Sequence, residues 1–245
     1  MKSTFSVVIP AYNEEKYLPR LLDSLEAAGE TYRRAGGQVE VIVADNASTD
    51  CTAEVAAARG CRVVGAELRA IAAARNAGGR AARGDTLAFV DADTVRVHPD
   101  TFGALDSMLG SGRFVAVATG VDMERWSAGL ALSYALMLPM VWLTGMDTGM
   151  VCCRRADFEA VGGYDEGRLI AEDVTFLLSL RRLGKRRGQR LGRARTVKAV
   201  ASTRKFDQHG DWHYFTQLPR LAVRMALGKP AAREFIRRYW YEPPR

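Results

Sequence analysis

Apolar positions along the first part of the chain follow two alternating rhythms. Phe5 to Ile9 is a short apolar run closed by Pro10, the pattern of a buried strand. Leu18, Leu21, Leu22 and Leu25 then recur at i, i+3, i+4 and i+7. That spacing predicts one buried helical face, and Pro19 suits the first turn of the helix. Val39 to Ala44 predicts a second strand, an Ala-rich stretch ending near Gly60 a short helix, and Cys61 to Gly65 a third strand. Ala70 to Ala82 is helical in propensity, with Gly78-Gly79 as an interruption, and Thr86 to Val90 is apolar and unbroken, a further buried strand. The β-α-β-α-β-α-β order predicts an α/β fold, a doubly wound, mostly parallel sheet with flanking helices and right-handed crossovers.

The later elements are sparser. Val174 to Leu183 reads as a helix and Thr196 to Ala201 as a strand. Residues 128–143 form the longest uncharged stretch. They are too few for a membrane span, which needs about twenty apolar residues, and Pro139 interrupts them. A helix at an acceptor site, with Met and Trp suited to a lipid or aglycone, stands beside the plainer reading of a core helix. Phe215, Leu218, Leu221, Ala222 and Met225 lie near helical spacing with Arg220 and Arg224 opposite, followed by the basic, aromatic run from Phe235 to Tyr241. The expected organisation is one domain over residues 1–210 and a helical C-terminal extension over 211–245.

Charge sharpens this division. Lys and Arg number 17 against 24 Asp and Glu over residues 1–180, a net of −7, but 18 against 4 over 181–245, a net of +14. The basic end suits phosphates, nucleic acid or an anionic membrane surface; packing on the domain or a homodimer are the other uses of an amphipathic end. Cys51, Cys61, Cys152 and Cys153 show no C-x-x-C spacing and no neighbouring His, so neither a zinc site nor a disulfide framework is expected. A reducing compartment fits. The N-terminus has no long apolar region of a signal peptide, and the expected location is cytoplasmic, peripheral to the inner membrane.

The chemistry concentrates at strand ends. Thr86 to Val90 runs directly into Asp91 and Asp93, carboxylates that no apolar core accepts unpaired. In an open α/β sheet ligands sit beyond the carboxyl ends of the strands, where such a pair suits a divalent cation shared with a substrate's phosphates. Capping a turn is the ordinary alternative. The first two strands end in Tyr12-Asn13-Glu14 and Asp45-Asn46, so a nucleotide would span the same edge, base near Asp45 and diphosphate near the metal. No G-x-G-x-x-G and no G-x-x-x-x-G-K-[ST] occurs. Arg69, Arg75, Arg204 and Lys205 are therefore the candidates to balance a diphosphate.

At this point the chain resembles a known family. Val7 to Glu15, Val41 to Asp50, Ala74-Arg75-Asn76-Ala77-Gly78, Asp91-Ala92-Asp93, Gly162 to Glu166, Glu172-Asp173-Val174 and Arg181-Arg182-Leu183-Gly184 together look like family 2 glycosyltransferases of GT-A fold. The resemblance covers roughly residues 5–207. It implies inverting transfer of a sugar from a UDP- or GDP-sugar to an acceptor hydroxyl, on a lipid-linked or cell-envelope glycan. It places Pro10, Tyr12 and Glu14 at the nucleoside, Asp45 on the base, and Asp91 at the ribose or metal shell. Asp93 becomes the ligand of Mg²⁺ or Mn²⁺, and Asp173 the general base with Glu172 beside it. Ser202 to Phe206, carrying Arg204 and Lys205, resembles the family's basic segment near the leaving group, and His209 would be a third metal ligand. Locally, Glu172-Asp173 also reads as the acidic start of a helix, a role compatible with catalysis.

Two rivals remain. A sugar-phosphate nucleotidyltransferase would share the sheet, but its Gly-rich G-x-G-T-R loop is absent where the first strand enters Pro10-Ala11-Tyr12. A nucleic-acid or membrane-binding module would use the basic tail but leave the carboxylates unexplained, and no nucleic-acid partner is expected.

Overall fold

The computed structural model describes residues 2–145, 149–168, 171–213 and 215. The expected extension over 211–245 therefore lies almost wholly outside the described residues. Strand β1 (Thr4–Ala11) is buried along nearly its whole length. It pairs in parallel with β2 (Gln38–Asp45) on one side and β4 (Thr86–Phe89) on the other, and β3 (Arg62–Gly65) adds in parallel to β2. Helices α1 (Leu18–Arg34), α2 (Thr52–Ala58) and α3 (Ile71–Ala81) are the crossovers. A strand covered on both faces must be apolar on both. Phe5, Val7 and Ile9 pack with Leu18, Leu21, Leu22 and Leu25 of α1, while Val8 joins Ala72 of α3 in a second core cluster.

Two details differ from the sequence reading. Pro10 lies inside β1 opposite Ala44. Because Val8 accepts from the amide of Val90, the amide missing at Pro10 would face the side where β4 has just ended, so no ladder bond is lost. Gly78 and Gly79 do not interrupt α3. A Cβ on Gly78 would come within 2.3 Å of Val8 Cγ1, and one on Gly79 within 2.7 Å of Phe158 Cζ. They let the helix lie directly on its neighbours.

The rest of the chain comprises β5 (Thr94–Val97), α4 (Thr101–Gly110), β6 (Phe114–Met123), α5 (Ala128–Thr144), β7 (Val151–Arg154), α6 (Arg155–Val161), α7 (Glu172–Arg186), β8 (Arg190–Ala201) and α8 (Arg204–His209). The strand order is β3-β2-β1-β4-β7-β6-β8-β5. β7 runs antiparallel to both β4 and β6, β8 is parallel to β6, and β5 is antiparallel to β8. The sheet is thus parallel through β4 and mixed beyond it. Since β7 reverses direction between them, β6 and β8 run the same way as β4. The carboxyl ends of β1, β2, β4, β6 and β8 therefore share one edge. α5 continues through Pro139, and among the described residues no helix is long and apolar enough to cross a membrane.

Candidate active site

The loops after β1 and β2 are locked together before any ligand enters. Asn13, held at φ 55°, accepts from the amide of Thr49 at 2.8 Å, and its own amide donates to Ser48 Oγ at 3.1 Å. The Glu14 amide donates to Thr52 Oγ1 at 2.8 Å and the Glu15 amide to Asp50 Oδ2 at 3.2 Å. In return Glu15 Oε2 accepts from the Cys51 amide at 3.1 Å. Short polar side chains here satisfy backbone groups that strands and helices leave unpaired at their ends.

These loops border a cleft of about 410 Å³ at the shared strand edge, lined by Pro10, Tyr12, Glu14, Arg75, Asp91, Asp93, Glu172, Asp173, Arg204 and Lys205. All ten were candidates from sequence. At its centre Arg75, on α3 and only 5% exposed, donates to three carboxylates. Nη2 meets Asp91 Oδ1 at 2.7 Å, and Nη1 meets Glu172 Oε1 at 2.9 Å and Asp173 Oδ1 at 2.5 Å. Its guanidinium also lies 5.2 Å from the Tyr164 ring centroid, and that ring stacks on Phe176. The next residue, Asn76, clamps the chain before α7. Its Nδ2 donates to the Tyr164 carbonyl and its Oδ1 accepts from the Tyr164 amide, both at 2.8 Å. One turn of α3 thus ties the end of β4 to the start of α7. Burial raises the Asp173 carboxyl to about 7; Arg75 opposes that rise, and Asp91 and Glu172 add to it. Burial also works against the charge of Arg75, but Asp173 and Asp91 hold it protonated.

A second cluster lies across the cleft. Arg204, at the start of α8, makes a two-pronged pair with Glu14, both contacts 2.9 Å, and approaches Asp93 at 3.7 Å. Burial pushes the Asp93 carboxyl up and Asp91 adds to the rise, while Arg204 and Lys205 pull it down. Burial likewise raises Glu14, against the pull of Arg204. A divalent cation would relieve the burial and like-charge costs at Asp93 together, so the residues present fit a metal held by Asp93 with the phosphates of a ligand. Among the described residues no group of three or more His, Cys, Asp or Glu is arranged to hold an ion without such help.

Two candidates are not brought to the cleft. Asp45 ends β2 opposite Ala11 and turns its carboxylate onto the Ser48 amide, at 3.3 and 3.4 Å, closing a turn through Ala47 at φ 61°. His209 is exposed at the far end of α8, five residues or about 7.5 Å of helix beyond Arg204. Arg69 stands over the Tyr12 ring at 4.2 Å and bonds its hydroxyl, forming a lip rather than a wall. Sequence reasoning passed over Asn46. It is 4% exposed, lines the cleft, and its Oδ1 has no hydrogen-bond partner among the described residues. Asn beside an acidic strand end was visible in the sequence, but which of the two turns inward depends on the turn. Ala171 at φ 57° was also missed; it lines the cleft just before Glu172.

A mixed sheet of this order with acidic strand ends over a nucleotide-sized cleft defines the GT-A glycosyltransferase fold. A mannosyltransferase from Pyrobaculum calidifontis, solved with GDP-Man and Mn²⁺, superimposes with a TM-score of 0.68 over 99% of this chain and 70% of its own, at 21% identity. Glucosyl-3-phosphoglycerate synthase from Mycobacterium tuberculosis, solved with Mn²⁺, UDP and phosphoglyceric acid, gives 0.58 over 78% and 68%, at 24% identity. Residues 6–132 match the profile of Glycosyl transferase family 2, and the chain belongs to that family. An undecaprenyl-phosphate 4-deoxy-4-formamido-L-arabinose transferase from Pseudomonas fluorescens is 29% identical over 62% of this chain and 51% of its own length. The mouse dolichyl-phosphate beta-glucosyltransferase is 37% identical over 39% and 32%. The chain spans between about a quarter and a half of the length of these curated relatives.

Proposed function

We propose that this protein is an inverting glycosyltransferase that moves a sugar from a UDP- or GDP-sugar to an acceptor hydroxyl on a lipid-linked or cell-envelope glycan. The observation that carries the reading is Arg75, which joins Asp91 on the donor side to Glu172 and Asp173 on the acceptor side in one cleft. Relatives solved with UDP, GDP-Man and Mn²⁺ support the donor class, and relatives named for polyprenyl phosphates support an acceptor carried on lipid.

Pro10, Tyr12 and Glu14 flank the nucleoside, and Asn46 backs that wall. Arg204 and Lys205 balance the diphosphate. Asp93, with Asp91, would hold Mg²⁺ or Mn²⁺, which would supply positive charge against the leaving diphosphate. Asp173 takes the proton of the acceptor hydroxyl as that oxygen attacks the anomeric carbon. The bond from that carbon to the diphosphate oxygen breaks, and the nucleoside diphosphate leaves with the electron pair. A base near neutrality suits this task, and Arg75 with Glu172 fixes its direction.

Calorimetry with UDP and GDP, with and without Mn²⁺, tests the donor and metal assignment. Asp93→Ala should abolish the metal-dependent part of the binding while circular dichroism stays unchanged. Unaltered affinity in Mn²⁺ would refute it.

A further inference from the structure

α5 has no charged residue, yet it is not enclosed like a core helix. Ala128, Ala131, Leu132, Ala135 and Leu136 are exposed, and their i, i+3, i+4, i+7, i+8 spacing makes them one stripe. Leu132 is 45% and Leu136 63% exposed. Trp126, 50% exposed, stands just before the helix, edge-on to Tyr134 at 5.5 Å. Isolated exposed leucines are ordinary, but a continuous uncharged stripe with an aromatic at its end marks a contact surface.

Position and charge identify what it contacts. The chain enters α5 from the carboxyl end of β6, the edge that carries the cleft. At this end Gly129 lies so close to Asp211 that a Cβ would sit 2.7 Å from the Asp211 carbonyl oxygen. At the other end Gly145 approaches Leu191 of β8. That end of α5 thus meets the start of β8, a strand that exposes Arg190, Arg195 and Lys198, the last paired with Asp122 at 3.4 Å, within the part of the chain that carries +14. An apolar stripe beside a cationic strand matches an anionic bilayer, whose surface attracts the charges and whose acyl boundary accepts the leucines. A two-fold contact with a second copy would set those cations against themselves.

We infer that the stripe of α5, with Leu132, Leu136 and Trp126, rests on an anionic lipid bilayer and presents the cleft to acceptors held there. Only the last clause rests on the glycosyltransferase reading.

The test is co-sedimentation of the full chain with phosphatidylcholine vesicles containing or lacking phosphatidylglycerol. Binding is expected only with the anionic lipid and to weaken with salt. Replacing the exposed pair by Leu132→Gln and Leu136→Gln should lower partitioning by about tenfold per leucine, since each gives up the transfer of a buried side chain. Slow hydrolysis of the donor sugar in the absence of vesicles should be unchanged, which also shows that the variant is folded. Bilayer quenching of tryptophan fluorescence by acyl-brominated lipid should fall in Trp126→Phe. Partitioning untouched by the double substitution overturns the inference, as does equal binding to neutral vesicles. A variant that converts a sedimenting dimer to monomer without altering partitioning overturns it in favour of a second copy. If the protein partitions as expected but hydrolyses no sugar nucleotide, the docking surface stands and the enzymatic reading falls.

Discussion

The two halves of the sheet solve different problems. From β1 to β4 every neighbour is parallel, each crossover is a helix, and the strand-end loops are knitted by side chains from Asn13 to Thr52. Beyond β4 the pairings are mixed, β8 carries a register shift against β6, and the helices include α5, whose outer stripe no described residue covers. On the proposed function, the first half builds a preformed seat for a ligand that varies little, a nucleoside diphosphate. The second half supplies the carboxylates at the start of α7 and the cations Arg204 and Lys205 across the cleft, and otherwise shapes a surface. A preorganised donor side beside a separately built acceptor side allows one reaction to be directed at many acceptors by changing the second half alone.

The largest effect that would break this division is at Asp173. Asp173→Asn keeps the shape and most of the hydrogen bonding but cannot accept a proton, so transfer should fall by roughly two to four orders of magnitude while donor affinity changes little. Donor hydrolysis, with water as acceptor, is a workable assay; loss of donor binding as well would move Asp173 into the donor half. Because burial raises this carboxyl to about 7, the rate should rise with pH through about 7, and that limb should vanish in the Asn variant. The sign for stability is opposite. A raised folded-state pKa favours the protonated form, so this group's contribution to stability is present below about 4, its unfolded value, and is lost as pH rises through about 7.

A smaller effect contrasts a helix glycine in close contact with one in open space. Gly78→Ala would drive a methyl into Val8 and should cost about 1–3 kcal/mol, the usual toll of overpacking. Gly103→Ala on α4 meets nothing within 4 Å and should be neutral or stabilising by up to about 1 kcal/mol through helix propensity. Urea unfolding of both variants decides it, and equal costs would remove the distinction. The smallest expected effect is Asn46→Ala. Asn46 backs the cleft with a buried oxygen that has no partner among the described residues, so its loss should weaken nucleotide binding by at most about threefold, with stability little changed. Calorimetry showing a loss of tenfold or more would assign a base contact to Asn46 itself.

The legibility of the chain follows the same division. Leu18, Leu21, Leu22 and Leu25 all point into the core, as their spacing predicts, because a parallel sheet covered on both faces leaves a near-continuous apolar signal. Asp91, Asp93, Glu172 and Asp173 were also readable, because the family resemblance outweighed their local uses as a turn cap and an acidic helix start, and all four line the cleft. β5, β6, β7, α4 and α6 were not marked. β7 is four residues long, and its partners Leu87 and Ala116 lie far away in sequence, so no local pattern records the pairing. β8 begins at Arg190, earlier than its apolar run suggests, because pairing with β6 holds residues that propensity alone would leave outside.

The sequence by itself determined the α/β class, the order of the first strands and the inventory of charged groups, because these depend on neighbours a few residues apart. Tertiary structure decided which groups meet. Arg75 lies 97 residues from Glu172 and 98 from Asp173, and Glu14 lies 190 from Arg204. Such contacts exist only once the sheet has brought its carboxyl edges together. It decided likewise that Asn46 lines the cleft while Asp45 and His209 do not, since side-chain direction at a turn or along a helix is set by backbone torsions rather than by residue type.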